Sequence, residues 1–217
     1  LATAKSTLTQ LGALDGDGIT TLGRRLSGFP LHPRLALLVL EGERRGVADD
    51  AALVAALLSD RDPTATAESR VSGARTSAQS DLLVKLDLLR SARSSSSSTL
   101  LRTRDALLDA VRRSTGGDSG NRPSSPVWSE EREEGLSRAL FTAWADRLAR
   151  RREPGSDRAV MVGGRGVRLA RESSVKEAEL FVCVSLDDRS GPRSEALVRI
   201  ASAVEREWLP PERLREV

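Results

Sequence analysis

Residues 11–40 read LGALDGDGITTLGRRLSGFPLHPRLALLVL, and the corners in this stretch decide the fold. Leu8, Leu11 and Leu14 end an apolar-periodic segment that reads as a helix over residues 2–14. Asp15-Gly16-Asp17-Gly18 follows, and it is turn chemistry: glycine takes positive φ, and aspartate bonds its own backbone. It lacks the distal ligands of a calcium loop. Thr20 is placed to cap a short helix carrying Leu22 and Leu26, and Gly28-Phe29-Pro30 stops that helix. Pro33 then takes the favoured first position of the next helix, which puts Leu35, Leu38 and Val39 on one face.

Further along, Asp49 or Asp50 is placed to cap a helix over 51–59 whose apolar residues cover more than one stripe, so it belongs at the centre of a bundle. Ser80-Asp81 opens a helix with Leu82, Leu86 and Leu89, and another runs over about 99–113. The stretches near 64–79, 91–98 and 114–129 are rich in Ser, Thr, Gly or Pro and read as flexible connections. The last of them is the preferred domain boundary. A helix is expected over 130–152, with Leu136, Leu140, Trp144 and Leu148 on one face. After Pro154-Gly155 the period becomes strand-like. Residues 159–162 and 167–170 flank Gly163-Gly164-Arg165-Gly166 as a hairpin with a four-residue loop, and 180–186 and 195–202 supply further strands around a turn at 187–194.

Motifs along this order resemble the helicase-associated region of DEAH-box helicases, in the HrpB-type branch. The matching residues are Leu11-Gly12-Ala13-Leu14-Asp15, Thr20, Leu22-Gly23-Arg24 and Pro30-Leu31-His32-Pro33-Arg34-Leu35-Ala36. Ala56-Leu57-Leu58-Ser59-Asp60-Arg61-Asp62 is similar to the family's ALLSERD, and the run from Ala145 to Arg152 to its PDR.ARRR. Gly163-Gly164-Arg165-Gly166-Val167 with Leu169 is similar to NGRGA.L. The resemblance implies a mainly α chain with a β-rich C-terminal part. It would comprise a winged-helix-like unit (1–46), a helical bundle (47–152) and a partial, small β-barrel of the oligonucleotide-binding (OB) type (155–217).

The same resemblance implies an accessory module of an ATP-dependent helicase, packed on two upstream ATPase domains and helping to enclose single-stranded RNA or DNA. The chain carries no G-x-x-x-x-G-K-[ST] to cradle phosphates and no Asp-Glu-x-His to hold magnesium. ATP and Mg2+ are therefore expected on those upstream domains, with no catalytic residue and no cofactor here. Leu1 is not methionine, and the sequence reads as a piece of something longer.

Bulk properties agree with a helix-rich core. Of the 217 residues 39% are hydrophobic but only 3% aromatic, with no Tyr, so Leu, Val and Ala must build it. One Cys and one His exclude an internal disulfide and any ordinary zinc site. Cys183 alternates within an apolar strand and reads as a core residue. His32, between Leu31 and Pro33, reads as a packing or capping group. No apolar run approaches the ~20 residues that span a bilayer, and a cytoplasmic location without membrane contact is expected.

All but three of the 34 basic residues are arginine, whose rigid fork suits phosphate. Arg147, Arg150, Arg151 and Arg152 fall within six residues, more than a helix C-terminus needs to offset its dipole, and are the first candidates for phosphate contact. Arg165, at the expected hairpin tip, and Arg34, in a second basic zone with Arg24, Arg25, Arg44 and Arg45, are the others. Two other functions fit parts of the chain. A stand-alone winged-helix protein would bind duplex DNA, but the helix after Pro33 is too aliphatic for a groove. A protein-interaction scaffold would carry the arginines incidentally.

Overall fold

A computed structural model describes residues 2–16, 18–59, 79–91, 97–114, 129–187 and 195–209. Most of the connections read at 64–79, 91–98 and 114–129, and of the turn read at 187–194, lies outside the described residues, as does Asp17. Of the residues that are described, Ser91, Ser97, Ser98 and Ser114 are helical and Asp187 ends a strand. The chain divides into two compact units.

The first unit holds α1 (Ala2–Gln10), a two-residue hairpin β1 (Leu14–Asp15) and β2 (Gly18–Ile19), α2 (Thr21–Ser27), α3 (Pro33–Arg44) and α4 (Ala48–Ser59). Two longer helices complete its described part, α6 (Ser97–Ser114) and α7 (Glu130–Trp144). The first helix stops at Gln10, short of Leu14, because Leu14 pairs with Ile19 across the Asp15-Gly16 corner. Gly16 there has φ +58°. Thr20 holds this corner from both sides: its hydroxyl donates to the Gly12 carbonyl (2.7 Å) and accepts from the Gly23 N–H (2.9 Å). Gly23 is required, since a Cβ would lie 2.2 Å from the Ala13 carbonyl oxygen. His32 is the N-cap of α3 and accepts the Arg34 N–H on Nδ1 at 3.3 Å, with Pro33 at the first helical position.

Helix α4 is central, with every residue from Asp50 to Leu57 buried. Such burial needs neighbours on all sides, and α3 and α6 pack on it. Gly42 on α3 lets α4 approach closely, since a Cβ there would sit 2.3 Å from the Ala51 Cβ. Asp49 and Asp50 lie in the first turn of α4, not before it. Asp50 is fully buried and takes the guanidinium of Arg132 on α7 at 2.6 Å, which fixes α7 against the N-terminus of α4. A buried carboxylate at a helix start gains from both the cation and the helix dipole.

The second unit holds α5 (Asp81–Ser91) and the chain from Trp144 onward. The helix expected over 130–152 ends eight residues early. Ala145–Arg147 is a 3₁₀ turn, and Leu148–Arg151 is a strand, β3. With β4 (Arg158–Met161), β5 (Arg165–Leu169), β6 (Leu180–Asp187) and β7 (Ala196–Val204) it forms a barrel of order β3-β4-β5-β7-β6. All neighbours are antiparallel except β5 and β7. This is the OB-like barrel expected, and it is closed. The strand that completes it is the one that reads as a helix end, with Ala149 opposite both Met161 and Phe181. Ala149, Ala159, Val167, Leu169, Phe181, Cys183 and Val198 fill the interior. By the two-residue period of a strand, their chain neighbours face outward.

Beyond the end of β5, the edge of β7 is paired by residues 79–81. The Ala203 N–H donates to the Gln79 carbonyl (2.6 Å) and the Ala201 N–H to the Asp81 carboxylate (2.8 Å). Helix α5, within the span read as the helical bundle, packs on β7 of the barrel.

Candidate nucleic-acid interface

The outer face of β3, β4 and β5 carries four arginines in register. Arg158 is directly opposite Arg168. The β3–β4 ladder continues past Arg151↔Ala159 through the Arg152 N–H to Arg158 carbonyl bond (3.0 Å), so Arg152, Arg158 and Arg168 form one row across three strands. Arg150 lies in the next row, opposite Val160, which in turn is opposite Gly166. All four are exposed. Strands lie about 4.8 Å apart, so the row spans about 10 Å and like charges face each other, an arrangement that costs stability unless an anion lies among them.

Among the described residues, one carboxylate forms ion pairs on this face. Glu195, just before β7, places Oε1 3.5 Å from Arg152 Nη2 and Oε2 3.5 Å from Arg158 Nε. It crosses β5 over Gly166, where a Cβ would lie 3.2 Å from the Glu195 Cγ and 3.4 Å from Arg152 Nη2. Arg199, farther along β7, is paired with Asp187 at 2.9 Å.

The six arginines singled out from sequence separate into different environments. Arg150 and Arg152 are on the exposed face just described. Arg151, between them, points the other way and is only 6% exposed. Its Nε donates to Ala178 O (2.9 Å), Nη2 to Val175 O (3.0 Å) and Nη1 to Ser156 O, and the guanidinium stands 5.6 Å from the Phe181 ring centre. Burial lowers its pKa from the ordinary arginine value, while Glu177 and Asp157 pull it partly back. Its donors tie the β3–β4 and β5–β6 connections together at one end of the barrel, so it is a structural cation. Arg34 is also buried and donates to the Ala143 carbonyl, which ties α3 to the end of α7. Arg147 is half-buried on the 3₁₀ turn. Arg165 is not at a loop tip: the turn is 162–164, with Gly163 and Gly164 at φ +85° and +79°, and Arg165 opens β5 opposite Met161.

Arg158, Arg168 and Glu195 were not legible as a group, because a charge cluster in sequence is a run and a cluster on a sheet is a register. The alternation Arg158-Ala159-Val160-Met161 against Val167-Arg168-Leu169 was the available signal.

Cys183 is in the barrel interior, where burial pushes its thiol up to about 12. Among the described residues no three His, Cys, Asp or Glu side chains gather to hold a metal ion. No helix among them is long and apolar enough to cross a membrane.

Residues 6–31 match the winged-helix helicase-associated domain (HA2). The chain is 40% identical over 62 residues to the ATP-dependent RNA helicase HrpA of Escherichia coli K12, which covers 26% of this chain and 5% of HrpA. Its fold is similar to that of two crystal structures of E. coli HrpB. One, described as a DExH-box NTPase, is 23% identical at TM-score 0.63 and covers 95% of this chain and 21% of that one. The other, described as a DEAH/RHA helicase, is 22% identical at TM-score 0.64 and covers 96% and 22%. The chain thus spans a twentieth of HrpA and about a fifth of the HrpB chains. The resemblance to a helicase-associated C-terminal region of HrpB type holds, in the sequence of the first segment and in the fold of the rest.

Proposed function

We propose that this helicase-associated region is the accessory module of an ATP-dependent helicase and holds single-stranded nucleic acid through arginine–phosphate contacts. ATPase domains elsewhere in the same protein bind ATP and Mg2+, and the module packs on them. The observation that carries the reading is the alignment of Arg150, Arg152, Arg158 and Arg168 on the outer face of β3–β5. In an OB-type barrel the face of the second and third strands is suited to an extended oligonucleotide. Arginine supplies planar, bidentate donors to phosphate without reading bases. Aromatic residues for base stacking are few, so backbone contacts dominate, sequence preference is weak and affinity falls steeply with salt.

The duplex-binding alternative is disfavoured by α3. That helix buries Arg34, Ala36, Leu37, Leu38, Val39, Leu40 and Gly42. The polar side chains left to it, Glu41, Glu43 and Arg44, sit at its C-terminal end with two acids among them, a poor fit to a major groove. Fluorescence anisotropy with a labelled 12-nucleotide oligo(U) and a duplex of equal length, at two salt concentrations, tests the reading. Tighter binding of the single strand, weakened by salt and by Arg158→Glu with Arg168→Glu, is expected. Binding that ignores both substitutions removes the barrel face from the mechanism.

A further inference from the structure

The geometry points to Glu195 as a built-in stand-in for a nucleic-acid phosphate, one that sets the affinity of the arginine row. This rests on the function proposed above and adds a residue to it. A carboxylate has two oxygens, and here each addresses a different arginine, Arg152 just after β3 and Arg158 on β4. Both separations are 3.5 Å, ion-pair distance but longer than a charge-assisted hydrogen bond. The side chain starts just before β7 and passes over β5 to get there, close above Gly166, where a Cβ would come within 3.2 Å of the Glu195 Cγ.

Two consequences follow. Without nucleic acid, Glu195 offsets the repulsion between facing arginines and holds two of them side by side. With nucleic acid, a phosphate that bridges Arg152 and Arg158 must displace the carboxylate, so part of the attraction is spent on the exchange. Arg150 and Arg168 have no carboxylate partner among the described residues, and they offer the first contacts before the exchange takes place. A strand bound in this way runs across the β-strands, along the row, and binding stays weak enough for the strand to move.

The experiment measures affinity of the full chain for oligo(U) in wild type, Glu195→Gln, Glu195→Asp and Glu153→Gln. Glu195→Gln removes the charge, and Glu195→Asp keeps it but shortens the arm by one methylene, too short to reach both arginines. Glu153→Gln removes an exposed charge beside Arg152 whose carboxylate makes no ion pair among the described residues. Tightening of about three- to tenfold in both Glu195 variants, with Glu153→Gln near wild type, is expected. If Glu195→Asp matches wild type, or Glu153→Gln matches Glu195→Gln, net charge and not the bridge is responsible and the inference fails. Wild-type binding with no tightening in either Glu195 variant overturns the inference alone. Absence of binding in every protein overturns it together with the proposed function.

Discussion

The carboxylate of Asp81 accepts the backbone N–H of Ala201, 120 residues away in sequence, at 2.8 Å. The same carboxylate takes the hydroxyls of Ser173 and Ser174 and the Ser174 N–H. Asp81 is 7% exposed and begins α5, so one side chain fixes the helix, the β5–β6 connection and the open edge of β7. Asp81→Ala leaves several buried donors without acceptors and should cost about 3 kcal/mol. Asp81→Asn should recover only part of that, because its amide brings N–H groups toward other N–H groups. Urea unfolding checks the loss, and hydrogen exchange should show the Ala201 amide losing protection. Unchanged protection there would mean that β7 is held by the ladder to β6 alone.

The approach of α3 to α4 rests on missing atoms. Gly42→Ala should destabilise the helical unit by about 2 kcal/mol, since its Cβ would lie 2.3 Å from the Ala51 Cβ and both are on packed helices. Ala51→Gly alone should cost about 1 kcal/mol from helix propensity. Combined, the two should cost less than their sum, because the second change removes the atom that the first one meets. A double-mutant cycle by urea unfolding measures this, and strict additivity would show that α3 and α4 separate to relieve the contact.

Cys183 links pH to stability in a known direction. The folded protein holds the thiol proton up to about 12, whereas the unfolded chain releases it near the ordinary value of 9. Above pH 9 the unfolded state therefore binds fewer protons, and stability should fall as pH rises from 9 toward 12, with no contribution below 9. Cys183→Ala should flatten that part of the stability–pH curve. The native thiol should also resist a disulfide reagent at pH 8 and react at once in urea, and equal rates in the two conditions would contradict its place in the barrel.

The first forty residues were legible because their corners are local chemistry. Thr20 capping α2, Pro33 at the start of α3 and glycine at the tight turns each depend on atoms a few positions away. The end of α7 was not legible for the opposite reason. Leu136, Leu140, Trp144 and Leu148 keep a four-residue spacing straight through the true boundary, and Ala and Arg are good helix formers. The strand Leu148–Arg151 exists because β4 and β6 lie on either side of it, a condition that no local window contains. The same error displaced the candidate site. On a helix the run at 147–152 would be a patch, whereas on a strand Arg150 and Arg151 face opposite sides, and Arg158 and Arg168 take the vacated place in the pattern.

Arg150 and Arg151 therefore make a paired test of that strand. Arg151 donates to three carbonyls and stands over Phe181, so Arg151→Ala should destabilise the barrel by about 3 kcal/mol. Arg151→Lys should not restore it, because a single ammonium cannot reach three carbonyls set in a fork. Arg150→Ala, one residue earlier, removes only an exposed side chain and should leave the urea transition unmoved. Oligo(U) binding should show the reverse order. Arg150→Ala should weaken it about three- to tenfold at low salt and reduce its salt slope by about one. Arg151→Ala, measured where the protein is still folded, should leave both nearly unchanged. If instead both substitutions weakened binding equally and neither shifted unfolding, 148–151 would be a helix end with all its arginines in solvent, and the closed barrel would lose its first strand.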